Sequence, residues 1–508
     1  MNRRWWALGA LVTSMLVLGF DMTILSVALP TMAEQLGATI GQQQWMTDVY
    51  VIVLAALMLP AGLLGDRFGR RRMLIAGLAV FLTGSVIGSL ATSVAPVIAA
   101  RAVMGMGAAL VMPLALAVLP SLFGAPRDRA RAVGIITAAS ALGMPLGPII
   151  GGWLLNHFWW GSIFLINIPM AAIGITACVL LLPETRDPAS PEVDTVSTVL
   201  TAAGLGALIH GIIEAPGRGW GDPLVIGTQA GAVALIGALV VRERRTARPM
   251  LDMGLLRHRP FVLNTLAATL GMFVFSGLMF VLPPYLQAVL GNDAFGTGLR
   301  LLPLMGGLLV AAKATGPVVE RFGSRAAITA GLVVLALAAA LGSRTNAGSG
   351  YGFTALWLPV VGLGFGFAMV PAMSAALGAL PADRAGSGSG LLSTVRQTGS
   401  AIGIALLGSL LAAAYTGRLP GGAPPAASDS VVAAHLVAAA RGDHRLADAA
   451  DAAYLHGMDV ILLVCAGAAL ATALLAATLL PGRDAPAADP ETAALPGTEG
   501  LAPSPADA

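Results

Sequence analysis

Two charges set inside long apolar runs have the most chemical consequence. Asp21 lies in Phe20-Asp-Met-Thr-Ile-Leu-Ser-Val-Ala-Leu-Pro30, and Arg101 in Ala99-Ala-Arg-Ala-Val-Met-Gly105. A carboxylate within hydrocarbon is costly unless it is paired, protonated or facing water, so such an acid is a functional candidate by default. Arg101 is the natural partner. If the first span runs outward and the fourth inward, Asp21 lies about 16 Å and Arg101 about 9 Å below the same surface, at 1.5 Å per residue. An arginine side chain bridges much of that difference. Burial favours the protonated acid, whereas a close arginine favours the carboxylate. A pair that parts and meets would therefore change its hold on a proton, which is the chemistry of proton coupling. A static structural ion pair, or a plain interhelical hydrogen bond, is the alternative use of the same residues.

Such groups need long apolar elements to hold them. The 508 residues are 56% hydrophobic and 11% charged, with a mean hydropathy of +0.82. A water-soluble domain is about one quarter charged, so the chain reads as integral to a lipid bilayer. A net charge of +3 gives no bulk attraction for nucleic acid, and none is expected as a partner. Cys178 and Cys465 each fall in an apolar run, which argues against a disulfide framework or a cysteine metal site. At roughly 20 residues per crossing, the sequence predicts fourteen spans, from 6–32 to 456–480, with the seventh and eighth at 196–216 and 223–241. With a cytoplasmic N-terminus, only Arg218, Arg344, Arg418, Arg441 and Arg445 of the 29 Lys and Arg fall in outer loops. Arg101, Arg300, Lys313 and Arg396 lie within spans. That bias follows the positive-inside rule and puts both termini in the cytoplasm.

The stretch Gly62-Leu-Leu-Gly-Asp-Arg-Phe-Gly-Arg-Arg71 recurs as Gly316-Pro-Val-Val-Glu-Arg-Phe-Gly-Ser-Arg325, each copy between two apolar runs. Gly105-Met-Gly107 before Pro113 is echoed by Gly364-Phe-Gly366 before Pro371, and Asp128-Arg129-Ala130 by Asp383-Arg384-Ala385. The chain is therefore duplicated. The expected fold is all-α and integral to the membrane. It comprises two pseudo-symmetric six-helix bundles (1–185 and 259–481), two inserted helices within 186–258, an outer loop at about 415–455 and a disordered cytoplasmic tail at 482–508. Two bundles about a central site form the architecture of many secondary transporters.

Other residues are candidates on position alone. In the fifth span, Gly143, Gly147, Gly151 and Gly152 allow close helix contact, and Pro148 invites a bend. Phe20, Met112, Phe273, Phe275, Tyr285, Gln287 and Phe365 suit a greasy cavity, although ordinary packing uses the same side chains. Asp48 and Tyr50 are cavity-facing or interfacial, and Arg396 lies well inside its span. His210 and Glu214, four apart on one helix face, read as a local pair. No His/Asp/Ser or metal cluster lies within the spans, and no P-loop run occurs, so neither an enzyme nor ATP as energy source is expected.

With these motifs in order, the chain resembles the major facilitator superfamily, specifically its fourteen-helix drug:proton antiporter branch. The Gly62–Arg71 loop is similar to the superfamily's helix 2–3 motif. Asp21-Met-Thr with Ala28-Leu-Pro30 resembles the branch's helix 1 motif, and Arg101 through Gly107 its helix 4 motif. Gly143 through Gly152 resembles the helix 5 motif associated with export, while Trp160 through Pro169 and Arg396-Gln397-Thr-Gly399 resemble further branch patterns. Glu320 replaces the acid and Pro317 the leucine in the second loop copy, and Met144-Pro145 adds a second proline to the helix 5 motif.

The resemblance implies a proton-coupled exporter of amphipathic drugs or antibiotics in the bacterial cytoplasmic membrane. It would have no bound cofactor, the proton gradient as energy source, and function as a monomer. Asp21 and Arg101 would carry coupling, and Asp66, Arg67 and Arg71 would latch the halves on the inner side. A narrow exporter of one self-made metabolite is the alternative within transport, and a transporter-fold sensor the alternative outside it.

Overall fold

The structure is a computed structural model and describes residues 3–123, 126–186, 194–246, 253–380 and 385–480, with only part of the side chains between 120 and 145 and none at 385–387. Among these residues every regular element is helical. The first bundle contains α1 (Arg3–Leu36), α2 (Ile40–Phe68), α3 (Arg70–Ser89), α4 (Val94–Ala117), α5 (Pro126–His157) and α6 (Ser162–Leu181). A hairpin of α7 (Thr195–Arg218) and α8 (Pro223–Arg245) follows. The second bundle contains α9 (Arg259–Val289), α10 (Ala294–Phe322), α11 (Ser324–Gly342), α12 (Gly350–Gly378), α13 (Ala385–Arg418) and α14 (His444–Leu479).

Thirteen of these helices are long and apolar enough to cross a membrane among the described residues. The fourteenth, α5, has 32 residues, about 48 Å of helix at 1.5 Å per residue. The tail 482–508 and the Asp383-Arg384 part of the third echo lie outside the described residues.

Helices are the elements that satisfy their own backbone in lipid, and side chains and glycines end them. Thr39 opens α2 with a reciprocal capping box to Gln42, and Asp194, Asp222 and Asp443 cap α7, α8 and α14. Gly69 and Gly323 have φ of 109° and 83°. No L side chain adopts those values readily. Each lets its duplicated loop turn from one helix directly into the next. The face carrying these two turns is the basic face, and the opposite one the far face.

Within each bundle the fourth helix packs against the second and third. A Cβ on Gly105 would stand 2.7 Å from Tyr50 O of α2, and one on Gly107 2.6 Å from Phe81 N of α3. In the second bundle the corresponding contacts belong to Gly362 (2.8 Å from Leu308 N of α10) and Gly364 (2.5 Å from Leu335 N of α11). The structural repeat thus pairs Gly105 with Gly362 and Gly107 with Gly364, two residues from the register that the Gly-x-Gly echo suggests. The identical spelling at Gly364-Phe-Gly366 arises because Gly366 meets a further neighbour, Ala311.

The halves meet at the far face. Gln44 of α2 donates to Ala405 O of α13 at 2.7 Å, and Gln287 of α9 to Val27 O of α1 at 2.8 Å. The start of α10 lies against α5, so that a Cβ on Gly152 would meet Phe295 Cα at 2.6 Å and one on Gly298 would meet Pro148 C at 2.6 Å. Helix α7 seats between α2 and α13, with Ser409 of α13 donating to Ile212 O at 2.8 Å, whereas α8 leans on α7.

Candidate functional site

Asp21 sits midway along α1, and the rest of the first bundle shapes its surroundings. Gly143 and Gly147 of α5 lie directly over α1. A Cβ on Gly143 would stand 2.9 Å from Phe20 N, and one on Gly147 2.9 Å from Phe20 O. Substituents there would push away the turn that carries Asp21. On its other side α6 is broken at Ile166, between a short turn Ser162–Leu165 and the helix Asn167–Leu181. The break brings Asn167 to Asp21, where Nδ2 donates to Oδ1 at 3.1 Å.

The second carboxylate oxygen accepts from Arg101 Nη1 at 2.7 Å, and both side chains are 2% exposed. Arg101 also donates from Nε to Met46 O at 3.2 Å, and its guanidinium lies 4.2 Å from the Tyr50 ring centroid, a cation–π contact. The buried charge is thus neutralised, hydrogen-bonded and stacked. Those are the conditions under which an ion pair survives removal from water.

Arg101 and Tyr50 form part of the wall of a cavity of about 90 Å³ between the halves, faced from the second bundle by Met272, Phe275, Ser276 and Ser400. Ser276 and Ser400 share a 2.6 Å hydrogen bond, and Phe275 stacks on Phe365 with centroids 4.5 Å apart. A drug-sized site needs about 300 Å³ or more. In this closed arrangement the cavity holds water-sized occupants, and a larger guest requires the halves to part. Among the described residues no His/Cys/Asp/Glu group could hold a metal ion.

The structure brings Asp21 and Arg101 together but distributes the other candidates differently. Tyr50 and Phe275 reach the cavity. Phe20 is buried beneath α5, Phe273 supplies the backbone against which Gly403 packs, and Met112 is half-buried in the first bundle. Tyr285 bonds Thr354 inside the second bundle at 3.2 Å, and Gln287 belongs to the far-face seam. Arg396 donates to Met373 Sδ at 3.1 Å. Asp48 is fully buried, with neither carboxyl oxygen hydrogen-bonded, and is not among the residues lining the cavity.

Asp66 is held by Arg70, through Nε at 2.8 Å and Nη2 at 2.7 Å, and Arg70 Nη1 donates to Ala117 O at 2.7 Å. The expected partners lie apart from it. Arg67 covers the Phe68 ring, and Arg71 offers its backbone N–H to Glu184. The turn at Gly69 brings the first residue of α3 back to the end of α2, which selects Arg70. The Asp66–Arg70–Ala117 contact ties α2 and α3 to α4 within one half. His210 packs on the Trp45 ring, and Glu214 pairs with Arg218 at 2.9 Å instead of with His210. Asn167 was visible in the sequence only as part of a motif; its signal is a lone amide in an apolar run.

Two packed bundles, with a cavity between them walled in part by the arginine of a buried ion pair, are the arrangement of a membrane transporter. The sequence profile of the Major Facilitator Superfamily matches residues 11–404, and the chain belongs to that family. It is 34% identical over 412 residues to a tetracenomycin C resistance and export protein of Streptomyces glaucescens, covering 81% of this chain and 76% of the relative. It is 33% identical over 482 residues to the multidrug efflux pump LfrA of Mycolicibacterium smegmatis, covering 93% and 95%. The fold matches that of a bacterial homologue of the human lysosomal transporter Spinster in an inward-facing, unoccupied conformation, with a TM-score of 0.68, 18% identity, and coverage of 96% of this chain and 100% of the other. The protein is a multi-pass membrane transporter.

Proposed function

We propose that this chain exports amphipathic drugs or antibiotics from the bacterial cytoplasm in exchange for protons, by alternating access, with its basic face cytoplasmic. The observation that carries the reading is the buried Asp21–Arg101 pair, whose arginine lies in the wall of the cavity that separates the halves while its carboxylate sits just behind. When the far face opens, Asp21 takes a proton and Arg101 is released towards Tyr50 and Met46 O. When the basic face opens, the proton leaves, the ion pair re-forms and substrate enters. Gly143 and Gly147 let α1 slide under α5, and the Gly152–Phe295 contact is the seam that must open at the far face. Asn167 positions the carboxylate and touches neither substrate nor solvent.

The relatives named for tetracenomycin C export and for multidrug efflux support drug-like cargo, and they differ in breadth. A single-compound exporter is therefore the second reading. Ethidium efflux from a pump-deficient host, with and without a protonophore, tests the first. Uphill efflux should stop when the proton gradient collapses. Efflux that continues undiminished without any ion gradient rejects proton coupling. Protection against one chemical class only, across a panel of dyes, quaternary amines and antibiotics, selects the second.

A further inference from the structure

The two halves treat one corner of the bundle differently. At the basic end of the first half, the Arg70 guanidinium fills the space between Asp66 of α2 and the last turn of α4 at Ala117 O. By the duplicated loop, Glu320 stands where Asp66 stands and Ser324 where Arg70 stands. By the register of Gly107 with Gly364, Ser374 stands where Ala117 stands. Glu320, Ser324 and Ser374 line one cavity of about 820 Å³ at the basic end of the second bundle. The acid is retained, the cation is gone, and the space it would occupy is open. A Cβ built on Gly378, also on that wall, meets nothing within 4 Å.

The wall is chemically consistent. Among the described residues, Glu320 has no ion-pair partner. Asn264 is 4% exposed, its Nδ2 is satisfied by Pro260 O, and its Oδ1 is a buried acceptor without a donor. The C-terminal turn of α12 at Gly378 and Ala379 adds the negative end of the helix dipole. Among the described residues these acceptors line the cavity without a cation, while Val319, Val370 and Leu480 provide apolar wall. Arg325, which could have supplied the charge, is directed instead to Ala477 O of α14.

We propose that this cavity is a second ligand site, which binds the guanidinium or primary ammonium group of an amphipathic molecule. The cation takes the place held by Arg70 in the other half, and the apolar body lies along α10 and α12. The site is separate from Asp21 and needs no proton gradient to fill.

A Ser374→Cys reporter in the full chain, reconstituted in nanodiscs, tests this through its rate of alkylation by N-ethylmaleimide. The native Cys178 and Cys465 are fully buried and form the unreactive background. Dodecylguanidinium should slow alkylation about ten-fold, the scale of one hydrogen bond to a charged group, whereas neutral dodecanol should not. Glu320→Gln should remove the protection, and Ser324→Arg should slow alkylation with no ligand present. If Ser374→Cys fails to accumulate, Ser324→Cys is the replacement reporter. No protection by dodecylguanidinium, equal protection by dodecanol, or full protection in Glu320→Gln overturns the proposal. The same protection in Asp21→Asn keeps this result separate from the coupling mechanism: uphill transport at the wild-type rate in that variant, with protection intact, sinks that mechanism alone.

Discussion

Replacing Asp21 by Asn changes one charge at nearly constant shape. The substituted amide oxygen still accepts from Arg101 Nη1, which now stands 2.7 Å from the carboxylate, but its NH2 group faces the amide of Asn167. Stranding one member of a buried ion pair costs about 3–5 kcal/mol. A retained hydrogen bond to a charged donor returns about 1.5–3 kcal/mol. The cation–π contact with Tyr50 and the bond to Met46 O continue to hold the guanidinium. The net loss of roughly 1–3 kcal/mol is smaller than the usual 5–15 kcal/mol of folding stability, so the variant should reach the membrane folded. It has no exchangeable proton at this position. In proteoliposomes, uphill ethidium transport driven by an imposed pH gradient should vanish, while ethidium exchange across equal pH continues. Uphill transport at the wild-type rate would refute the assignment of Asp21 as proton carrier. Loss of both transport and exchange from a folded protein would show that the pair is structural.

Further expectations concern other contacts. Gly147→Leu should reduce efflux by an order of magnitude or more through overpacking of about 1–3 kcal/mol against α1, with folding checked by size-exclusion profile; undiminished efflux would remove α5 from the mechanism. Arg70→Ala should impair transport more than Arg67→Ala or Arg71→Ala in the same efflux assay, because only Arg70 bridges Asp66 and Ala117 O. In the loop between α13 and α14 at the far face, His435 of the helix Val431–Arg441 bonds Asp451 at 2.7 Å, and that bond, with Asp448 also nearby, holds its imidazole above the usual histidine range. A raised value means that the pair's contribution is complete below about pH 6.5 and fades as pH rises through the folded-state value. Amide protection of 431–451, corrected for the intrinsic rise of exchange with pH, should therefore fall from pH 6 to 9, and His435→Gln should flatten that corrected profile. Asp194 is held down to about 2, chiefly by Arg242 across the α7–α8 hairpin, and also caps α7. Asp194→Ala should cost about 1 kcal/mol from the cap alone, read as a lowered thermal midpoint in detergent.

The spans could be read because length and unbroken apolarity suffice to specify a crossing, and counting residues inward placed Asp21 and Arg101 at compatible depths. Which side of a span faces the cavity is a different question. These helices are apolar nearly all round, so their sequences carry little phase, and Phe20, Phe273 and Tyr285 look like cavity residues until the packing is known. The Asp66–Arg70 pair spans the Gly69 turn between two helices, so helical spacing does not announce it. The contact of Asn167 with Asp21 depends on the break in α6 at Ile166, and no periodicity announces such a break.

The duplicated halves kept their packing and divided their chemistry. Gly399 and Gly403 of α13 press on α9 at Thr269 and Phe273 as Gly143 and Gly147 of α5 press on α1. Both bundles thus retain a glycine face against the first helix, where small residues allow backbones to approach. The charge was not retained. In the glycine register, Leu358 of α12, fully buried, occupies the place of Arg101. The second half faces the cavity with Met272, Phe275 and Ser276 and contributes no acid to that wall. A binding surface without ions suits varied apolar cargo, since no buried charge has to find a partner on each new guest. On the proposed mechanism, confining the acid–arginine pair to one half makes proton binding a property of α1, α4 and α6. Under that mechanism the cargo would sense the event through the geometry of the cavity between the halves, which is the separation of roles that an exchanger needs if it is to accept many substrates and one coupling ion.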